Sequence, residues 1–374
     1  MTKLLSSFIL IISLAACCWA QAPAGTAENE NAKVSADTKS GTDSKTAKAS
    51  EAPHLAVVET ITSPTETGNG FAGLSCDEDG NIFLGLEGPN APAIRKLNPK
   101  GELATVFKPY SNPDIDILGL GNYTVTADGE LYQLASPKDG KPWWVILVFK
   151  SDGSYKTNIK LDPGFGWTPA SLAVFANGNI LITGQKVYRD QKRTQEAFTG
   201  IFRSDGRLLK TIELEDDTHL HDLAKSGPPK SALVPTSNRA VTWGMMRAAR
   251  DGNIYVMRAL SPAIVYAVSP SGETVRRFTV DPDDASMLPF QMLISGNNIS
   301  VQFTNLESHD SVVKIVDLEG KDINTYTISR AEESKKPNYG LSSVYGCYAA
   351  TPQHFTFLTS NDKMMIQLQK VEAR

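Results

Sequence analysis

The phrase Asp-Gly-Asn-Ile, leading into apolar residues, stands at 79–82 and again at 251–254. Asp-Gly-Glu-Leu at 128–131 and Asn-Gly-Asn-Ile at 177–180 are looser versions, and Gly-Asn-Asn-Ile at 296–299 is a fifth. Asp-Gly, Asn-Gly and Asn-Asn tolerate positive φ, so each is expected to make a two-residue turn between antiparallel strands. A second set of turns follows within each unit: "NPKGEL" at 98–103, "KSDGSY" at 150–155, "RSDGRL" at 203–208, "SPSGET" at 269–274 and "DLEGKD" at 317–322. Each separates two strand-like runs, such as "AIVYAV" and "TVRRFTV". Two hairpin turns per unit mean four strands per unit, and repetition on this scale signals a β-propeller.

Six units can be counted, at about 70–110, 116–162, 168–214, 240–281, 287–329 and 342–374. The last holds three strands and then the chain ends. The missing outer strand is supplied by "HLAVVETIT" at 54–62, which alternates as a strand should. The expected fold is therefore all-β: a six-bladed propeller over 54–374, its sixth blade closed by one strand from the N-terminal side and three from the C-terminal side. Such closure removes the open seam.

"DGNIYV" followed by "VSPSGETVRRF" resembles an NHL-type repeat, and the chain as a whole resembles six-bladed propellers of the NHL and TolB-like group. The resemblance spans about 320 of the 374 residues and rests on turn and strand signatures. It implies fold. The group includes protein-interaction modules, hydrolases, lactonases and lyases, so fold-level likeness does not choose among them.

The N-terminus reads as a targeting segment over residues 1–20. Lys3 is the positive charge, and Leu4 to Leu14 form an apolar run too short to span a bilayer. Two processing sites are present. Leu14-Ala15-Ala16-Cys17 resembles a bacterial lipobox, with Cys17 as the lipidated residue; Cys18-Trp19-Ala20 before Gln21 suits ordinary secretion. Either places the mature protein outside the cytoplasm, as a periplasmic or membrane-anchored lipoprotein or as a secreted protein. Residues 21–53 hold one valine and no larger aliphatic or aromatic residue, so a disordered linker is expected there. A net charge of −4 offers no basic field for nucleic acid, and membrane contact is expected only through an N-terminal lipid. A monomer is expected.

In a four-stranded blade, the connections between second and third strands and between successive blades share one end of the ring. Here those connections are long, including 184–198, 215–239 and 330–341, whereas the turns at the other end are uniformly short. Long loops in excess of closure are where binding residues gather. Residues opening the innermost strands should ring that mouth: Phe71, Asp114, Asp116, Trp167, Trp243, Gln291 and Tyr345. They are candidate contacts for a protein, peptide or glycan; the alternative is that the aromatics wedge between blades as core.

Candidate chemistry is sparse. His219 and His221 are two apart, so an extended backbone would point both the same way, and with His309 they could hold zinc. The alternative is a solvated acidic loop, since Asp216, Asp217 and Asp222 surround the pair. Those carboxylates could suit calcium, but no loop has the regular ligand spacing. "GNGFAG" at 68–73 opens no helix and is dismissed as a phosphate loop. "EGP" at 87–89 is an accidental match to metal-binding propeller lactonases, and "YRDQKR" at 188–193 reads as a solvated basic tip. The first functional reading is thus a binding module, and the alternative a metal-dependent hydrolase, lactonase or lyase. Cys76 and Cys347 fall on innermost strands of the first and last units. A disulfide between them would fasten the seam by ~4 kcal/mol on the entropic model. Their shared parity, and the distance between inner strands, favour two buried thiols instead.

Overall fold

In a computed structural model, the protein is described over residues 52–66, 70–87, 93–139, 143–187, 195–214, 245–258, 261–305, 308, 310–328, 345–348, 354–360 and 365–373. All twenty-four strands of the described residues fall into six four-stranded antiparallel sheets. Strand β1 (Leu55–Glu66) comes first. Blade 1 is β2 (Gly70–Cys76), β3 (Ile82–Glu87), β4 (Ala93–Leu97) and β5 (Leu103–Phe107). Blade 2 is β6 (Ile117–Val125), β7 (Leu131–Pro137), β8 (Trp144–Phe149) and β9 (Tyr155–Leu161). Blade 3 is β10 (Trp167–Val174), β11 (Ile180–Val187), β12 (Gln195–Phe202) and β13 (Leu208–Thr211). Blade 4 is β14 (Met245–Ala248), β15 (Ile254–Arg258), β16 (Ala263–Val268) and β17 (Thr274–Val280). Blade 5 is β18 (Met287–Ser295), β19 (Asn298–Asn305), β20 (Ser311–Asp317) and β21 (Asp322–Ile328). Blade 6 is β22 (Tyr345–Tyr348), β23 (His354–Ser360) and β24 (Met365–Ala373), with β1 as its outermost strand. The innermost strands adjoin in the cycle β2, β6, β10, β14, β18, β22 and back to β2, so blades 1 and 4 face each other across the axis.

The strands bury what their position demands. The third strands of blades 2 and 4 are apolar on both faces: β16 "AIVYAV" is buried throughout, as is β8 after Trp144. Outer strands have one wet face, as in the exposed and half-buried run of β17. Between blades 2 and 3 the core holds Leu134, Ile146, Trp167, Leu172, Ile182, Phe198 and Phe202.

The turns differ from the expected two-residue form. Asp77 N–H donates to the Asn81 carbonyl and Gly80 N–H to the Asp77 carbonyl, which leaves a three-residue loop. The same pattern closes the turns at Lys150–Ser154, Arg203–Arg207 and Ala249–Asn253. Only the glycine takes a left-handed φ, as at Gly80 (78°). The reason is an Asp within the turn, Asp77 here and Asp152, Asp205 and Asp251 in the other three. Asp77 Oδ1 accepts the amides of Asp79 and Asn81 at 3.1 and 2.9 Å, which stabilises right-handed conformations before the glycine. A two-residue turn occurs at Gly296-Asn297, between paired Ser295 and Asn298.

Each outer turn clasps the blade before it. A Cβ on Gly153 would lie 2.7 Å from Thr105 Cγ2 and 2.8 Å from the Val106 carbonyl oxygen. Gly206 sits in the same way on the Lys160 carbonyl, and Gly320 on the Phe278 ring. At the Gly206 clasp, Asp162 N–H donates to the Gly206 carbonyl at 3.0 Å. Blade 6 has no such turn, because its outer strand is β1. The residues before β1 take over: Thr327 N–H on β21 donates to the Pro53 carbonyl at 3.1 Å, and His54 bridges to Thr327 as Arg207 does to Asp162. Gly101 of blade 1 in turn packs on Ile61 of β1, 3.2 Å from its Cγ2.

One clasp is reinforced by charge. Asp251 accepts from Tyr255 Oη at 2.9 Å and from Arg276 Nη1 at 3.0 Å, while Tyr255 also donates to the Leu318 carbonyl of blade 5 at 3.3 Å. Burial pushes the Asp251 carboxyl up, but hydrogen bonds from Asn253, Tyr255 and Arg276 outweigh it and hold the group below its ordinary value. A carboxyl depressed in the folded state contributes stability above its unfolded pKa of about 3.9, which is lost as pH falls through the folded value. Urea midpoints measured from pH 5 to pH 2 should therefore fall below about pH 4, and Asp251→Asn should flatten that fall.

Candidate functional site

The two ends of the ring are built differently. At the short-turn end, side chains from blades 4 and 1 meet across the axis. Arg250, in the turn after β14, donates from Nε to Glu78 Oε2 at 2.7 Å and again from Nη2 to the same oxygen; Glu78 lies in the turn after β2. Both side chains are exposed, so solvent screens the pair, but it spans the mouth. Deeper in, Arg247 donates from Nη2 to the Leu74 carbonyl of β2 at 3.4 Å and from Nη1 to the Met246 carbonyl at 2.8 Å. Tyr123 of β6 reaches behind Gly73, whose Cβ would lie 3.1 Å from its ring, and donates to the Phe83 carbonyl at 2.8 Å. Burial pushes the Tyr123 hydroxyl far up and the Arg247 guanidinium down, and each partly offsets the other's shift.

At the opposite end the described surface carries aromatics beside lysines. Phe165, in the link from β9 to β10, is 37% exposed and rests edge-on against Phe198 at 5.1 Å. Lys186 Nζ lies 5.8 Å from its ring centroid. Trp143, at the end of the link from β7 to β8, donates from Nε1 to Asp139 Oδ2 at 2.8 Å and has Lys160 Nζ 4.9 Å from its ring. A half-exposed aromatic face next to an ammonium suits a ligand with a flat or apolar face and a nearby acidic or hydroxyl group.

Three expected mouth residues are placed elsewhere. Trp167 is 4% exposed, stacked on Phe202 at 5.3 Å. It opens β10, whose alternation points Trp167 inward and Thr168 outward, so it belongs to the core between blades. Gln291 is also buried, lining a cavity of about 10 Å³ with Ser300, Gln302, Phe355 and Phe357. It falls in step with Met287 and Pro289, which are buried on the same strand. Asp114 lies against the outermost strand of blade 2, accepting from Tyr155 Oη at 2.8 Å and Asn158 Nδ2 at 3.5 Å. Asp116 does stand exposed before β6, with its carbonyl accepting from Lys138 N–H at 2.8 Å. Phe71 and Tyr345 stand on innermost strands β2 and β22, and their side chains lie outside the described residues, as do Trp243, His219, His221, His309 and Cys17. Among the described residues no three His, Cys, Asp or Glu side chains are grouped to hold a metal ion. Cys76 is disulfide-bonded, so it is not the buried thiol favoured by parity.

Phe165 and Trp143 were both within reach of the sequence. "DPGFGW" places Phe165 between two glycines in a link, where a packed strand cannot take it up, and Trp143-Trp144 puts two indoles at a strand start where only one can face inward.

No protein-family model matches this chain, and no curated protein sequence does. Among solved structures, a protein of unknown function from Dyadobacter fermentans is similar at a TM-score of 0.50 and 12% identity, over 86% of this chain and 100% of that one. One of unknown function from Bacteroides caccae has a TM-score of 0.41 and 11% identity, over 74% and 94% of the two chains. The PQQ domain of pyranose dehydrogenase from Coprinopsis cinerea has a TM-score of 0.41 and 11% identity, over 86% and 97%. At these identities the likeness extends to fold alone.

Proposed function

We propose that this chain is an extracytoplasmic binding protein of the NHL-like propeller type, taking a protein, peptide or glycan at its loop-rich end. The unlike construction of the two ends carries this reading. One end is tied across the axis by Arg250, Glu78 and Arg247, while the other presents Phe165 and Trp143 beside Lys186 and Lys160. The long connections, 212–244 above all, leave and re-enter the blades at that same end. In this reading Cys17 carries a lipid or the chain is released after Ala20, residues 21–53 tether it, and Cys347 is the disulfide partner of Cys76 across the seam between β22 and β2.

The test is a peptide and glycan array probed with the 52–374 chain, followed by titration of the best binder. Phe165→Ala and Trp143→Ala should each weaken it about tenfold or more, the effect of losing one aromatic contact of about 1.5 kcal/mol. Unchanged affinity in both variants would reject this surface. A metal-dependent activity built on His219, His221 and His309 is the alternative from sequence, and elemental analysis of the same preparation distinguishes it through a bound zinc that is lost on replacing the first two.

A further inference from the structure

We propose that the short-turn end of the axial channel holds a halide-sized anion against Arg247. The guanidinium cannot lose its proton in a protein, so its charge must be met in place. Arg247 stands on innermost strand β14, and its partners among the described residues are two carbonyl oxygens, those of Met246 and Leu74. Its Nε is withdrawn from solvent with no hydrogen-bond partner. Among the described residues no carboxylate meets it: the nearby titratable group that acts on it is the Tyr123 phenol, which donates to Phe83. A half-buried cation whose Nε is cut off from water, and whose partners among the described residues are neutral dipoles, is a costly arrangement that an anion offsets.

A space for one is present. Arg247 lines a cavity of about 20 Å³ with Cys76, Asp77, Leu293, Ile294 and Ser295. A single water needs roughly 10–15 Å³ of such space, so the cavity has room for one monatomic anion. The wall is apolar at Leu293 and Ile294, which strengthens the pairing of opposite charges. Ser295 can donate a hydroxyl. Asp77 is the one acid among the described lining residues, and its charge is already taken. Oδ1 accepts from the Asp79 and Asn81 amides, and Oδ2 accepts from Asn81 Nδ2 at 2.8 Å and faces Lys96 Nζ at 3.6 Å. Cys76 is disulfide-bonded and cannot become a thiolate counter-ion. The mouth on this side is spanned by Arg250 and Glu78.

Bromide is the probe. Melting temperatures are measured as sodium bromide replaces sodium gluconate at constant ionic strength, for the wild type, Arg247→Gln and Arg247→Lys. The wild type should gain stability saturably relative to Arg247→Gln, which follows only the general salt background, and Arg247→Lys should need severalfold more bromide. Anomalous diffraction from wild-type crystals in bromide should place a peak in the cavity beside Arg247 Nε. Parallel melting curves for wild type and Arg247→Gln overturn the proposal, as do bromide peaks confined to exposed residues. A cavity peak without the saturable shift is binding at crystal concentration only, and overturns it too. Should neither variant fold, the crystals and the saturability of the wild-type curve against gluconate decide.

Discussion

Removing residues 52–66 is expected to leave a chain with no cooperative unfolding transition. Strand β1, the longest strand of the described residues, pairs with β24 from Leu55–Ala373 to Glu66–Met365. Its loss bares the whole edge of β24, a template for association with other chains. It also removes two contacts of blade 6 with its neighbours: the Pro53 carbonyl that Thr327 of blade 5 uses, and the Ile61 surface on which Gly101 of blade 1 rests. In other blades the inner and outer strands are joined within one stretch of chain, so only blade 6 can lose its outer strand by an N-terminal deletion. Urea titration followed by far-ultraviolet circular dichroism should show a broad, low-amplitude change in place of a sharp one, with soluble aggregate by light scattering. A synthetic 52–66 peptide should restore the sharp transition in trans. A truncated chain that melts cooperatively and stays monomeric would show that the ring closes without β1.

The second large effect is expected at Gly206. Its φ is +86°, where an L side chain costs roughly 1–2 kcal/mol. Added to this, a Cβ there would fall on the Lys160 carbonyl oxygen and the Ile159 side chain of blade 2. That carbonyl belongs to the packed outer strand, so relief requires the blades to separate, at a further cost of roughly 1–3 kcal/mol. Gly206→Ala should therefore lose about 3 kcal/mol or more by denaturant midpoint. Gly178 is the internal control. Its φ is +82°, but nothing lies within 4 Å of its Cβ position, so Gly178→Ala should lose about 1–2 kcal/mol from conformation alone. Equal losses at the two sites would mean that the clasp between blades carries no energy.

The blades were legible because turn chemistry is local. Asp77, Asp205, Asp251 and Asp317 each precede a glycine by one to three residues, and each accepts backbone amides within its own turn. Such signals depend on four or five consecutive residues, so they survive without knowledge of the rest of the chain. The length of the turns was misjudged because Asp-Gly alone suggests two positive φ values, while the side chain of the preceding Asp favours a right-handed pair before the glycine. Closure by β1 was legible for a similar reason: a three-strand remainder at one end and an unmatched alternating strand at the other.

The site was less legible, because side-chain direction depends on register. Trp167 and Phe165 are two residues apart, and one is core while the other is exposed, since β10 begins between them. Gln291 is buried in step with Met287 and Pro289 on β18, where its polarity alone suggested a wet position. The arginines at the short-turn end are less visible still. Arg247 meets Leu74 and Arg250 meets Glu78 only because blades 1 and 4 lie opposite each other, across more than 170 residues of sequence, the separations being 173 and 172. No local pattern encodes a contact that depends on how many blades the ring holds.

The central claim is that the two ends of the ring are unequal and that binding belongs to the loop-rich one. The most direct measurement is affinity for the array-selected ligand in Phe165→Ala at one end and in Glu78→Ala at the other, each checked for an unchanged melting transition. The account predicts a loss of about tenfold or more for Phe165→Ala and wild-type affinity for Glu78→Ala. Full affinity in Phe165→Ala together with a loss in Glu78→Ala would place the ligand at the short-turn end and contradict it.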